Sequence, residues 1–381
     1  MFDFNFKKNV FLGIDIGTAS VKIVELKIVD GKTILSNYAW MPLGGDILGK
    51  NKADADYLQT VLPQCIKKII KKAKISGRNA YVSLPAFGGL IALIDFPEMA
   101  DGDMEQAIKF EAHKYVPTSL DEVVISWEIV ERGTGAVTEM PQEKDFLGAP
   151  SGKNVDSGEK IKVLLVAASR KKVLCYENLI KASGLSLRSI DIETFSIVRS
   201  LVGNDLGNFI IVDIGARVCN IILVEKGIIR INRNIDAGGI EMTKTIAKAM
   251  GIDFERAEAL KVSGRDFFAA DSAISFFTLE LITGEVERII RTCHKDGEQN
   301  TPDRLILSGG TSKLVGMGKY FSDKLQIEVV IGNPFARISY DSRLEPSISN
   351  IQNNFAVAVG LALKGVEEYH KKELVKKVIL K

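Results

Sequence analysis

Asp15 and Asp213 each stand at the end of an apolar run and directly before Ile-Gly, and together they make the clearest chemical statement in this chain. The first run, Phe11 to Lys22, reads FLGIDIGTASVK, and the second, Phe209 to Val224, reads FIIVDIGARVCNIILV. In both, β-branched residues lead into the carboxylate and glycine and a second apolar strand follows, which predicts a tight β-hairpin with a carboxylate at its mouth. Gly17 and Gly215 let the backbone N–H groups of Thr18, Ala19 and Ala216 approach phosphate oxygens. Two such carboxylates suit Mg²⁺ held through its waters, because this ion gives up its hydration shell reluctantly. A single Asp at a strand end is more often a turn former or a helix cap. Two in matching hairpins point to a duplicated fold closing on a nucleotide.

A third segment, Arg304 to Met317 (RLILSGGTSKLVGM), reads as a strand that ends in Gly309-Gly310-Thr311 and opens a helix. Such a glycine pair lets a flat base and its ribose lie against bare backbone. Gly44 to Asn51 (GGDILGKN) has the spacing of a P-loop, but Asn51 stands where Mg²⁺ would need a hydroxyl, and Trp40-Met41-Pro42-Leu43 is a poor buried strand to lead into it. It reads as a loop.

With the three motifs in this order, the chain resembles the actin, DnaK-type chaperone and sugar kinase superfamily over nearly its whole length. The resemblance implies an actin-like (ribonuclease H-like) α/β fold of two duplicated lobes, with ATP and Mg²⁺ as cofactors. Lys22, seven residues after Asp15, stands where actin carries a phosphate-binding lysine. Glu193, in Asp191 to Ser196 (DIETFS), matches the acidic residue that orients the attacking water in the chaperones, although the helix dipole also favours an acid there. Gly239, Glu258 and Lys261 resemble residues that reach the adenosine in the FtsA branch; Glu258 and Lys261, three apart on a helix, also read as a solvated pair. The implied site comprises Asp15, Gly17, Thr18, Ala19, Lys22, Asp213, Gly215, Ala216, Gly239, Glu258, Lys261, Gly309, Gly310 and Thr311, with Asp15 and Asp213 toward Mg²⁺ and Glu193 and Asp213 as catalytic candidates. Hydrolysis is expected to be slow or absent, because Val218-Cys219 replace the hydroxyl residues usual in the second turn.

The elements between the hairpins narrow the resemblance. A helix around Tyr57 to Lys74 is followed by strands at Ala80–Pro85 and Leu90–Pro97, a helix from Met104 to Tyr115, strands at Val123–Val130 and Ile161–Ala168, and a helix from Leu174 to Ser183. Val82 to Met99 and Glu105 to Pro117, with the short leader Lys7-Lys8, closely resemble the PilM family of type IV pilus assembly proteins. That likeness implies an FtsA/PilM-type inserted α+β subdomain and a cytoplasmic ATP-binding scaffold, peripheral at the inner face of the cytoplasmic membrane, in a pilus or related secretion platform. The implied partner is the N-terminal cytoplasmic peptide of a bitopic PilN-like protein, received between the first lobe's sheet and the inserted module. Pilus motor ATPases and other platform proteins are further implied partners. The alternative is an FtsA-like membrane-tethered division protein; a phosphotransferase is less favoured, since nothing beyond the shared acidic residues suggests a sugar site.

The expected division is 1–80 with 184–203 and 345–381 (first phosphate motif), 81–183 (insert), 204–239 with 300–344 (second phosphate and adenosine motifs), and 240–299. At 381 residues, 46% hydrophobic and 26% charged, the chain suits two globular lobes. A formal net charge of +2 gives no global attraction for nucleic acid. Cys65, Cys175, Cys219 and Cys293 are scattered and only three histidines occur, which speaks against a zinc site or a disulfide framework. His113 reads as structural. No segment has the apolar length of a signal peptide or a membrane span. Ile66 to Lys72 reads as a helix with a solvated lysine face, Gly133 to Lys160 as a mobile loop, and Val366 to Lys381 as a basic amphipathic tail, packed or solvated. Phe2, Phe4 and Phe6 beside Lys7 and Lys8 form a second candidate for membrane contact.

Overall fold

The computed structural model describes residues 9–43, 57–99, 101–116, 118–132, 160–269, 272, 274–295 and 301–379. The P-loop-like Gly44 to Asn51, the expected loop as far as residue 159, and the leader with Phe2, Phe4, Phe6, Lys7 and Lys8 lie outside the described residues, as do the side chains beyond Glu373. Two compact units emerge: Met1–Gly88 with Lys172–Lys381, and Gly89–Lys171.

The larger unit starts with the antiparallel hairpin β1 (Val10–Ile16) and β2 (Ser20–Val29), to which β3 (Lys32–Pro42) adds. A π-helical turn, Tyr57–Val61, leads into α1 (Leu62–Lys72), which has Pro63 in its first turn, Lys71 and Lys72 in its last, and buries Leu62, Ile66 and Ile69. β4 (Asn79–Leu84) then runs parallel to β1. The smaller unit holds β5 (Gly89–Pro97), α2 (Asp101–Ala112), β6 (Val123–Arg132) and β7 (Lys160–Ser169), in a three-stranded sheet of order β5-β7-β6. Met104, Ile108 and Ala112 of α2 pack with Ile94, Phe96, Ile161, Val163 and Leu165 to make its core. The expected insert, 81–183, is wider than this unit: it also takes in most of β4, a strand of the main sheet, and most of α3 (Arg170–Ala182). His113 is exposed in the turn after α2.

The main chain continues with β8 (Ser186–Ile192) and α4 (Glu193–Leu201), which complete a five-stranded sheet β3-β2-β1-β4-β8 with a helix packed against it. The same arrangement then recurs. β9 (Asn208–Ile214), β10 (Cys219–Glu225) and β11 (Ile228–Ile235) form an antiparallel meander; α5 (Gly239–Met250), α6 (Phe254–Val262) and α7 (Phe277–Lys295) follow; β12 (Arg304–Ser308), α8 (Met317–Leu325) and β13 (Val329–Ile331) close a second sheet, β11-β10-β9-β12-β13. The chain ends in α9 (Glu345–Ile351) and α10 (Ala356–Ile379).

Period-two alternation in β9 explains how both faces of the second sheet become core. Phe209 and Ile211 join one cluster with Phe11, Ile197, Phe355 and the apolar face of α10, while Ile210, Val212 and Ile214 join another under α5, α6, α7 and α8. α10 is one helix through Ile379, so the stretch from Val366 that reads as an amphipathic tail continues it directly. It stays helical because its glycines are packing devices: a methyl on Gly360 would overlap the Ser196 carbonyl of α4. Further along, Tyr369 packs edge-on against Phe11 with ring centroids 6.1 Å apart. Among the described residues, no helix is long and apolar enough to cross a membrane.

Candidate functional site

The two hairpin turns are built alike. Gly17 N–H donates to Ser20 O at 3.0 Å and Gly215 N–H to Val218 O at 2.9 Å, so each turn closes three residues after its glycine. Register places Lys22 opposite Asp15 and Asn220 opposite Asp213. In the first hairpin, Lys22 Nζ and Asp15 Oδ2 form an ion pair at 2.8 Å, and Asp15 is 6% exposed. In the second there is no lysine: the amide of the buried Asn220 reaches instead to Glu193 Oε1 at 3.0 Å.

Glu193 opens α4 directly after β8, and its Oε1 also accepts from Ala86 N–H at 2.9 Å. Burial pushes Glu193 up to about 7; the Ala86 and Asn220 donors oppose the rise, and the charges of Asp15 and Asp213 add to it. Burial likewise lifts Asp213 to about 6, eased by Ser308 and Lys22 and reinforced by Asp15. Tyr176 of α3 belongs to the same neighbourhood: burial first, then Glu193 and Asp15, drive its hydroxyl upward. Three carboxylates therefore feel one another with one ammonium among them, an arrangement that favours uptake of a cation or a proton.

The donor set fits Mg²⁺ in hydrated form. Among the described residues no three His, Cys, Asp or Glu side chains converge to hold a metal directly. Asn220 Oδ1, however, is buried without a partner beside the carboxylates, an acceptor placed for a metal-bound water.

The second turn also organises the start of α5. The first N–H groups of α5 are spent on it: Gly239 donates to Gly215 O at 3.0 Å and Ile240 to Ala216 O at 2.8 Å. Thr311 Oγ1 donates to the same Gly215 O at 3.2 Å. Lys261, 7% exposed, donates to Gly239 O at 3.0 Å, Thr243 Oγ1 at 2.7 Å and Glu258 Oε2 at 2.7 Å. Burial lowers the Lys261 pKa, and Glu258 opposes it. These two residues are thus a clamp around the start of α5, with Lys261 turned inward, rather than a solvated pair.

Gly309 has φ 83°, and a methyl on it would overlap the Ile214 carbonyl; a methyl on Gly310 would meet the Asn354 side chain. Gly309 is therefore required by the close approach of β12 to the end of β9, and Gly310 by the Asn354 side chain. Cys219 lies in the core under α5, its thiol pushed well above its ordinary value by burial, and takes no part in the turn surface.

The structure thus gathers Asp15, Lys22, Asp213 and Glu193 in one group, and Gly215, Ala216, Gly239, Glu258, Lys261, Gly309, Gly310 and Thr311 in a second that shares the Gly215 turn; Thr18 and Ala19 belong to the first turn. Sequence reasoning missed Asn220, Ala86, Thr243 and Tyr176. Asn220 alone had a usable signal, since it follows Asp213 at the spacing by which Lys22 follows Asp15.

Two copies of one sheet topology, each with a carboxylate at its hairpin mouth, define an actin-like fold. An ethanolamine utilization protein EutJ from Carboxydothermus hydrogenoformans has the same fold, with a TM-score of 0.50 at 18% identity over 93% of this chain and 89% of that one. A chain of the PilM-PilN type IV pilus biogenesis complex is more similar: TM-score 0.73 and 26% identity, over 93% of this chain and 98% of that one. The protein belongs to the family of type IV pilus assembly protein PilM, whose model matches residues 13–154 and 145–366. Among curated relatives, cell division protein FtsA of Streptococcus pneumoniae is 22% identical over 301 residues, 74% of this chain but only 62% of the relative's length. FtsA of Enterococcus faecalis is 20% identical over 358 residues, 82% of this chain and 76% of the relative.

Proposed function

We propose that the protein is a nucleotide-dependent scaffold of a type IV pilus or related secretion platform, working at the cytoplasmic face of the inner membrane. The observation that carries this reading is the meeting of Asp15, Lys22, Asp213 and Glu193 at two like turns, in a chain whose family is PilM. In this reading ATP enters with Mg²⁺. The N–H groups of Thr18, Ala19 and Ala216 face its phosphates, Lys22 exchanges its Asp15 partner for a phosphate oxygen, and Asp15 and Asp213 hold the metal's waters, with Asn220 Oδ1 as a further acceptor. Mg²⁺ would supply charge neutralisation of the phosphates there. Lys261, Glu258, Gly239, Thr311 and the Gly309-Gly310 corner form the adenosine side, and the four-part division of the chain given above belongs to the same reading.

Hydrolysis is slow in this scheme because the second turn lacks hydroxyl donors for the terminal phosphate, since Val218 has none and Cys219 faces the core. ATP then acts as a conformational ligand. The partner is the N-terminal cytoplasmic peptide of a PilN-like protein, with the inserted segment as the receiving element; the similar PilM chain is itself part of a complex with PilN. An FtsA-like division role is less well supported, because the FtsA relatives are matched at lower identity than the PilM chain.

Calorimetric titration tests the nucleotide half of the proposal: Asp15→Ala should lose at least about tenfold in Mg·ATP affinity, one charge-assisted contact being worth about 1.5–3 kcal/mol. An unchanged affinity would remove the site. Fluorescence anisotropy of a labelled PilN-like N-terminal peptide tests the other half; failure to saturate with the full chain would refute the partner.

A further inference from the structure

The end of the first sheet remote from the phosphate turns is basic. α1 and the turn after it carry Lys67, Lys68, Lys71, Lys72, Lys74 and Arg78, all exposed, and residues 57–78 contain no acidic side chain. Because the whole chain is only +2, the remainder is net negative and the positive charge is concentrated here. Lys67, Lys71, Lys74 and Arg78 line a cavity of about 400 Å³ between the end of α1 and residues 183–185, with Ile70, Ile75 and Leu185 as its apolar wall. Among the described residues, none of these five lysines forms an ion pair.

Packing fixes the position of this face. Gly77 lies against Val10 and Leu12 at the start of β1, and Ser186 N–H donates to Arg78 O at 2.8 Å at the start of β8. α10 runs against the direction of β1, from Ala358 beside Gly13 to Tyr369 beside Phe11, so the exposed Lys371 and Lys372 follow at the same end. Asp15 is at the opposite end of β1, about 17 Å away at about 3.3 Å per residue.

A solvated helix face accounts for Lys68 and Lys72 but not for the cations of α1 and of the turn after it meeting at one cavity with an apolar wall. An arginine fork would suit carboxylate and phosphate alike, whereas exposed lysines are mobile point charges that suit phosphates spread over a plane, which is what an anionic membrane surface offers at the location of the proposed function. The one arginine here is already engaged, donating to Ile75 O at 3.3 Å and Gly77 O at 2.7 Å.

We propose that this face docks directly onto an anionic phospholipid surface, a headgroup phosphate entering the cavity between α1 and residues 183–185. Lysines near such a surface add to binding individually, and salt screens the attraction. The phosphate turns then face away from the bilayer, so lipid and nucleotide occupy opposite ends of one sheet.

Vesicle flotation of the full-length protein is the test, comparing phosphatidylglycerol–phosphatidylcholine vesicles with phosphatidylcholine alone. Wild type should float with the anionic vesicles only, and added salt should release it. The K67E/K71E variant should lose at least about tenfold in partitioning, and K67Q/K71Q a smaller factor, with melting temperature and ATP affinity near wild type. Lys74 is left in place because its φ of 53° makes replacement a backbone test as well. No flotation, equal flotation with neutral vesicles, or flotation unaltered in K67E/K71E would each overturn the proposal; the first would leave an acidic protein as the occupant of this face.

Discussion

Replacing Asp213 by Asn probes the electrostatics at the centre of the site. The group titrates near 3.8 in an unfolded chain and is held at about 6 in the folded protein, first by burial. Because the folded-state value is the higher one, the unfolded chain ionises first as pH rises. The group therefore costs nothing below about pH 4, and stability falls through the interval up to about 6, after which the loss is constant. The rise from 3.8 to about 6 corresponds to at most about 3 kcal/mol. Asn is neutral throughout and of equal size, so Asp213→Asn should match wild type near pH 4 and exceed it by up to about 3 kcal/mol above pH 7. For a unit of roughly 300 residues, with an unfolding entropy of about 2 cal/mol/K per residue, that is a rise in melting temperature of about 5 °C. Relief of Glu193, which feels the Asp213 charge, acts in the same direction. The assay is scanning calorimetry of both proteins across this range without nucleotide. Parallel melting temperatures at every pH would refute the account of the carboxylate cluster. With Mg·ATP present the order should invert, since the ionised Asp213 that is costly in the free protein is the form the proposed metal site uses.

Three further outcomes follow from the geometry. Glu193→Gln retains an oxygen for the Ala86 and Asn220 donors but cannot ionise, so any residual ATPase, rising through about pH 7 in wild type, should become low and flat; a retained pH-dependent rise in the variant would remove Glu193 from the chemistry. Gly309→Ala combines a left-handed φ of 83° with overlap on the Ile214 carbonyl and should cost about 3 kcal/mol or more in urea unfolding; a loss below about 1 kcal/mol would show that β12 does not press on β9 as described. Lys261→Met removes the ammonium that Glu258, Thr243 and Gly239 O share and leaves the one Thr243 hydroxyl to serve both oxygens, which should lower stability by about 1–3 kcal/mol and weaken ATP binding in titration, and unchanged values of both would reduce the clamp to a bystander.

The hairpins were legible because their cause is local: β-branched residues and a turn glycine leave the backbone little choice, and the pattern occurs twice. What was illegible depended on distant partners. Glycine inside a helix costs about 1 kcal/mol against alanine, yet α10 continues through Gly360 and Gly365 because the Ser196 carbonyl and the Phe11 and Tyr81 rings occupy the space their side chains would need. Helical spacing paired Glu258 with Lys261 but could not tell which of them turns inward. The demand for glycine at Gly309 comes from Ile214, a strand nearly a hundred residues earlier, and that at Gly310 from Asn354, and neither partner is visible in the local pattern. Asn220 was passed over because an asparagine carries no charge to draw the eye, and its importance appears only when the second hairpin is laid over the first.

That overlay exposes an asymmetry inside the duplication. Asp15 is paired with an ammonium opposite it, while Asp213 has hydrogen bonds and only the unpaired charge of the same Lys22, and burial therefore leaves Asp213, near neutral pH and below, partly protonated. Had both hairpins carried lysine, each aspartate would be paired with an ammonium before any ligand arrived, leaving less reason for a dication to enter. Had both carried asparagine, three crowded carboxylates would share no cation and would be held by protons alone. In the proposed function, one of each would leave a lysine for a phosphate and an unpaired carboxylate for a hydrated metal, with the proton on Asp213 and Glu193 in the place of the missing positive charge until then. Nucleotide binding with Mg²⁺ would then expel that proton, which would tie the affinity of the site to pH through Asp213 and Glu193.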